Sequence, residues 1–337
     1  MTTQTMMFGT TPINVLQRKM RGISGFPMIP PANKITAILA SEPGAGKSTF
    51  LQSIPDSFYL NFDLTSTLIP KPSSCIWPGL DPTTGAPIEQ CEPNDPRGRM
   101  VPELGGMWVR PVTLSWESAL ELRDTVRENY KAGIPWPACV IIDCGDTAFR
   151  FIEPYIANKQ KPGATSIDDA FPGKFVQTGI ARKYDELADY FASFRNIGCG
   201  CILALQLTDK FMTLDEEAGK RVFQKGVLQS GDAFRGRVRP LAELFLVLSV
   251  KQEPVTTKTP RMHPTTGQPL RSQSGEAIYN ETTTIERRHY LAFTNNEEQN
   301  VGKQRRGLNG AILLSKENGW ADFTAVYDAA RNKDLTQ

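Results

Sequence analysis

The chain has 337 residues, enough for one large α/β domain or two small ones. Its apolar fraction of 40% and charged fraction of 22% are ordinary for a globular protein, and a net charge of +2 excludes a polycation, so any nucleic-acid surface must come from local clustering of Lys and Arg. No apolar run is long enough to cross a bilayer, and Met1 to Met7 lacks the basic start and apolar stretch of a signal peptide, so no membrane partner and a cytoplasmic location are expected.

Residues 1–32 end in Pro27-Met28-Ile29-Pro30-Pro31 and read as an N-terminal arm. From 33 to 325, short apolar runs alternate with longer helical patterns, which predicts an α/β fold with a mostly parallel central sheet flanked by helices. The expected strands are Ile35–Ala40, Phe58–Asp63, Cys139–Asp143, Cys201–Gln206 and Leu244–Leu248. A helix is expected over Trp116–Tyr130 with Ser115 as its N-cap. A second carries Ile180, Tyr184, Leu187, Ala188, Phe191 and Phe194 on one face. Residues 326–337 read as a C-terminal tail.

Two segments interrupt this plan as surface insertions, 64–110, rich in Pro and Gly, and 251–288, rich in Thr. Each holds a similar heptapeptide, Asp81-Pro82-Thr83-Thr84-Gly85-Ala86-Pro87 and His263-Pro264-Thr265-Thr266-Gly267-Gln268-Pro269. Pro early and Gly late is turn chemistry, so both are expected at hairpin tips. Cys139, Cys144, Cys199 and Cys201 lie in or beside strand-like runs, where a thiol acts as a small hydrophobe. Cys75 and Cys91 fall in a loop-like region, and without a Cys-x-x-Cys pair a zinc site is not expected.

The chemistry-bearing motif is Ser41-Glu42-Pro43-Gly44-Ala45-Gly46-Lys47-Ser48-Thr49, between an expected strand and an expected helix. This is a P-loop, with Ser41 in place of its first glycine. The backbone of Glu42 to Thr49, whose N–H groups other than at Pro43 can donate, would wrap the phosphates of a nucleoside triphosphate, ATP with Mg2+, aided by the positive end of the helix. Lys47 would reach the β- and γ-phosphates and Ser48 the magnesium ion. Asp143, closing four apolar residues, is a second candidate magnesium ligand, with Asp146 close by. Asp63 is placed to activate water and Gln206 to contact the γ-phosphate, although each has the simpler reading of a polar strand end.

These four elements, in this order, resemble the RecA-like ATPase core. The resemblance implies Asp63 as catalytic carboxylate, where RecA has a longer Glu, Asp143 as the magnesium Asp and Gln206 as γ-phosphate sensor. Gly302-Lys303-Gln304-Arg305-Arg306-Gly307-Leu308-Asn309-Gly310, followed by the run Ala311–Leu314 and Trp320-Ala321-Asp322-Phe323, resembles the end of the DnaB-type helicase core. There a Lys-x-Arg pair reaches the neighbouring subunit's γ-phosphate, which casts Lys303 and Arg305 as catalytic residues in trans and implies a homo-oligomer, ring or filament. Length and layout resemble the phage-encoded RecA-like ATPases that include the Sak-type single-strand annealing proteins.

In the RecA-like plan the loop after the sensor strand meets single-stranded DNA. Here that stretch, 207–240, holds Lys220, Arg221, Lys225, Arg235, Arg237 and Arg239, with Phe223 and Phe234 among them, after an acidic Asp215-Glu216-Glu217. Lys159, Lys161 and Lys174 are a second, weaker set on the loop expected after Asp143. The resemblance therefore implies an oligomeric ATPase of recombination or annealing, with single-stranded DNA and a single-stranded-DNA-binding protein as partners. The alternatives are a DnaB-like replicative helicase motor and a nucleotide-switched assembly protein that does not act on DNA.

Overall fold

A computed structural model describes Met7–Phe8, Thr11–Pro12 and residues 30–64, 74–81, 83–102, 106–112, 114–215, 220–228, 237–293, 308, 310–315 and 318–336. The elements run β1 (Thr36–Ser41), α1 (Lys47–Gln52), β2 (Ser57–Asn61), β3 (Ser74–Trp77), then the short strands β4 (Gly79–Leu80), β5 (Pro87–Gln90), β6 (Arg99–Val101) and β7 (Met107–Pro111), then α2 (Trp116–Lys131), β8 (Cys139–Asp143), α3 (Gly145–Gln160), α4 (Ile167–Ala170), α5 (Val176–Asn196), β9 (Gly200–Asp215), β10 (Lys220–Leu228), β11 (Leu244–Pro260), β12 (Tyr279–Phe293), β13 (Gly310–Leu314) and α6 (Gly319–Thr336).

The main sheet has the order β13-β12-β11-β1-β9-β8-β2-β3. The six strands from β11 to β3 are all parallel to their neighbours. β12 and β13 extend one edge antiparallel, and β10 folds back on the outer half of β9. The expected α/β architecture, a mostly parallel sheet flanked by helices, is present. Parallel strands covered on both faces bury successive residues alternately above and below. Ile38, Ala40, Val140, Ile142, Leu203 and Leu205 face the layer that includes Trp116 of α2, Ile152 of α3 and Phe191 of α5. Ala37, Leu39, Ile141, Ile202 and Ala204 face Phe50 and Leu51 of α1 and Phe323 of α6. The latter layer also takes in Ile88 and Val109, from the separate antiparallel sheet β4-β5-β7-β6 that segment 64–110 builds.

Local signals were realised closely. Ser115 caps α2, its hydroxyl accepting from the Ser118 N–H at 3.2 Å. Leu187, Ala188, Phe191 and Phe194 are buried on α5, with Ile180 and Tyr184 packed at the margin. The two heptapeptides form the same turn. Asp81 Oδ1 accepts from the N–H groups of Thr83 and Thr84, and His263 Nδ1 from those of Thr265 and Thr266. Gly85 and Gly267 each close the turn onto the carbonyl of its first residue, at φ +67° and +63°, a left-handed backbone that glycine adopts without penalty.

In segment 251–288, β11 and β12 continue unbroken out of the sheet as a two-stranded ribbon, paired from Leu246↔Phe293 to Pro260↔Tyr279. Three expectations are revised. The stretch after Gln206 is a hairpin, not a loop, because β9 runs on to Asp215 and pairs with β10. The C-terminal tail is α6, which continues through Thr336; Tyr327, one turn after Phe323, is buried and its hydroxyl donates to the Pro30 carbonyl at 3.0 Å. That bond and the buried Ala32 draw the last residues of the expected arm into the core.

Beyond Val250 the ribbon projects about 33 Å, at roughly 3.3 Å per residue. Its outer pairs are exposed on both faces. Replacing 256–283 by Asn-Gly, which closes Val255 onto Thr284 through a tight turn, therefore removes no core contact. The shortened chain is expected to melt within about 2 °C of the full one, corresponding to less than about 1 kcal/mol. A larger fall in a thermal melt would place the ribbon's outer half in the fold's stability.

Candidate phosphate-binding site

β1, β2, β8, β9 and β11 are parallel, so their C-terminal ends share one edge of the sheet. Register sets the levels there. Ser41 lies opposite Gln206 on β9 and Leu248 on β11, and Asp143 lies opposite Asn61 on β2. β1 stops at Ser41, while both flanking strands run on as hairpins. The loop Glu42–Gly46 thus leaves the sheet between two hairpin roots. Gly44 and Gly46 turn it at φ +75° and +84°. Ser41 is the last residue of a buried, extended strand, which needs no glycine.

Lys47 and Ser48 open α1 and meet Asp143. On β8, Cys139 and Ile141 face the α1 layer, and alternation points Asp143 the same way. Lys47 Nζ lies 3.4 Å from Asp143 Oδ1, and Ser48 Oγ donates to Oδ2 at 2.7 Å. The Tyr59 hydroxyl, from β2, donates to the same Oδ2. Asp143 is fully buried, and its Oδ1 accepts no hydrogen bond among the described residues, facing the Lys47 ammonium instead. An orphaned buried carboxylate oxygen beside a hydroxyl is a hard-oxygen donor set that suits magnesium sharing its shell with phosphates and water. No cluster of three or more His, Cys, Asp or Glu side chains able to hold a metal occurs among the described residues.

Asp63 lies two residues past the end of β2, and its N–H donates to the Asp143 carbonyl at 3.2 Å, so the two acidic residues adjoin. Gln206 sits mid-strand rather than at a strand end; its N–H donates to Asp146 Oδ2 at 2.7 Å. That carboxylate, in the first turn of α3, also receives the Cys144 thiol. Burial holds the Asp146 carboxyl above its ordinary range. It pushes the Cys144 thiol up to about 12, which keeps the sulfur protonated and poorly nucleophilic at neutral pH.

Sequence reasoning missed Arg287 and His289. Both stand on β12 where it passes the Glu42–Gly46 loop. His289 Nδ1 is 3.0 Å from the Ala45 carbonyl, and Arg287 donates to the Gly44 carbonyl at 3.4 Å. They lie more than 240 residues away in sequence, and only their charge could have singled them out.

The basic candidates divide. Lys220, Arg221 and Lys225 fall on β10, in whose register Phe223 stands opposite Phe211. Arg237 is ion-paired with Asp185 of α5, and Arg239 sits 5.9 Å over the Phe245 ring. Arg235, Lys303 and Arg305 lie outside the described residues. The second lysine set is not on a loop directly after Asp143, because α3 starts after Cys144; Lys159 lies near its end, and Lys161 just beyond it pairs with Asp169 at 2.8 Å. No protein-family model matches the chain, and no curated protein matches its sequence. No described helix is long and apolar enough to cross a membrane.

Because burial raises the Asp146 carboxyl, the folded chain holds that proton more tightly than the unfolded one. The favourable contribution is complete below the unfolded value near 3.8 and is lost as pH rises through the higher folded value. Asp146→Asn keeps an acceptor oxygen for the Gln206 amide and removes the titration. Its urea midpoint should therefore gain on the wild type as pH rises above the unfolded value near 3.8. An offset that does not change with pH would show that burial does not govern this carboxylate.

Proposed function

We propose that this chain is a RecA-like P-loop ATPase that binds ATP and magnesium at the 41–49 loop and acts as an oligomer on single-stranded DNA, in recombination or annealing. The observation that carries the nucleotide reading is the convergence of Lys47, Ser48 and a fully buried Asp143 whose Oδ1 accepts no hydrogen bond among the described residues. Burying two opposite charges is expensive unless each is well compensated, and here they meet where a Gly-rich turn leaves a parallel strand.

In this reading Lys47 offers its ammonium to the β- and γ-phosphates while the backbone of the 42–49 loop wraps them. Magnesium, when bound, would be held by Ser48 and Asp143 and would neutralise phosphate charge. Asp63 accepts the proton of the attacking water, and Gln206 meets the γ-phosphate. Lys303 and Arg305 complete the site of a neighbouring copy. The support for DNA is that β9 carries Gln206 and continues into the hairpin that holds Lys220, Arg221 and Lys225. Basic groups there would neutralise phosphates, and a base stacked on an aromatic ring contributes about 1–3 kcal/mol.

Lys47→Ala should abolish ATP binding. It also leaves Asp143 buried without its cation, so it should destabilise the fold by about 3–5 kcal/mol, and adding Asp143→Asn should recover part of that loss. Calorimetry with MgATP and urea melts of the single and double variants test both halves; wild-type turnover in Lys47→Ala would remove the reading.

Replacing Lys220, Arg221 and Lys225 together by Ala should weaken single-stranded-DNA binding and reduce its salt dependence, each lost phosphate contact lowering the slope by about 0.7. Unchanged affinity and slope in a fluorescence titration would favour the nucleotide-switched assembly alternative over a DNA-acting one.

A further inference from the structure

We propose that Arg287 and His289 are positioning residues for the phosphate loop, through which the root of the β11–β12 ribbon sets the geometry of the nucleotide cradle. The inference rests on the P-loop reading and assigns the ribbon a part in it. Three consecutive loop residues are engaged from one strand. Arg287 donates to the Gly44 carbonyl at 3.4 Å and His289 contacts the Ala45 carbonyl at 3.0 Å. The imidazole lies against Gly46 so closely that a Cβ there would meet Cε1 at 3.2 Å and Nδ1 at 3.3 Å.

A carbonyl only accepts, so His289 carries its proton on Nδ1. The Ala45 carbonyl and the Gly46 N–H belong to one planar trans peptide and point in opposite directions. Holding the carbonyl towards β12 therefore turns the Gly46 N–H away from the ribbon. A glycine-rich loop is free to rotate such a peptide, and a side-chain clamp from a rigid strand removes that freedom before ligand arrives. The clamp is stiff because His289 pairs with Val250 on β11, two residues past the pairing of Leu248 with Ser41 of β1.

Calorimetric titration of MgATP into wild type, His289→Ala, His289→Gln, Arg287→Ala and the double Ala variant tests this. One net hydrogen bond lost corresponds to about fivefold weaker binding, the double variant should lose more, and His289→Gln, which retains an N–H donor, should recover most of the affinity. A merely structural role would reduce the folded fraction and leave the Kd of the folded protein unchanged; that result overturns the inference while Lys47-dependent binding stands. If wild type binds no ATP, or Lys47→Ala binds it equally, both readings fall. Should the variants not fold, hydrogen exchange of wild type decides. Coupling is reciprocal, so ATP should slow exchange at the amides of residues 287–291, and no change there overturns the clamp.

Discussion

The constraint on which the rest of this structure depends is the buried charge of Asp143. A carboxylate with no exposure to water costs several kcal/mol unless a cation and hydrogen-bond donors compensate it. Those partners come from two other places in the chain, Lys47 and Ser48 from the start of α1, and Tyr59 from β2. β8 must therefore sit in one register. A slip by a single residue would turn Asp143 to the opposite face of the sheet, among Trp116 and Phe149 and away from Lys47 and Ser48. The order of the strands follows the same demand. With β9 inserted between β1 and β8, the loop after Ser41, Gln206 and Asp143 are neighbours along one edge.

That edge is unusual in where its strands stop. β1, β2 and β8 end at the edge, whereas β9 and β11 run on for nine or more residues. A two-stranded ribbon in water has little of its own to hold it. The β11–β12 ribbon is anchored at its root by Leu246, Leu248, Leu291 and Phe293, which pack in the layer that contains Phe323. Farther out it relies on β-branched residues and cross-strand pairs such as Lys258 with Glu281 at 2.7 Å and the facing hydroxyls of Thr256 and Thr283. These are small, exposed contributions. The sheet thus fixes the root firmly and the tip weakly, which suits a segment whose inner end clamps a loop and whose outer end is not needed for the core.

What was legible in the sequence follows the range of the forces involved. Cys139–Asp143 was read to the residue, because four consecutive apolar residues closed by a carboxylate mark a strand buried on both faces. The two Pro-Thr-Thr-Gly turns were legible because their geometry is decided within five residues. The ribbon was not. Residues 251–260 and 279–288 are polar on both faces, so no alternation betrays a strand, and their pairing joins positions up to about forty residues apart. The end of α6 was lost for a related reason: Tyr327 is buried by the segment around Pro30 at the other end of the chain. The small sheet of segment 64–110 is built of strands of two to five residues, too short for any period to show.

The same difference in range separates the two halves of the site. Its chemistry is local, since a glycine-rich turn, a lysine and a serine follow one another in the chain, and Asp143 announces itself by closing an apolar run. Its rigidity is not local. Gly44 and Gly46 leave the loop many conformations in isolation, and what removes them comes from β12, which reaches the loop only because β11 pairs with β1. Asp146 plays the corresponding part on the other flank, tying the first turn of α3 to the amide of Gln206 where β9 passes the edge. The Glu42–Gly46 loop therefore sits in a frame whose two sides are the roots of two hairpins. Any partner that bends either hairpin at its root must move a group that holds the Glu42–Gly46 loop or the strand of Gln206 in place.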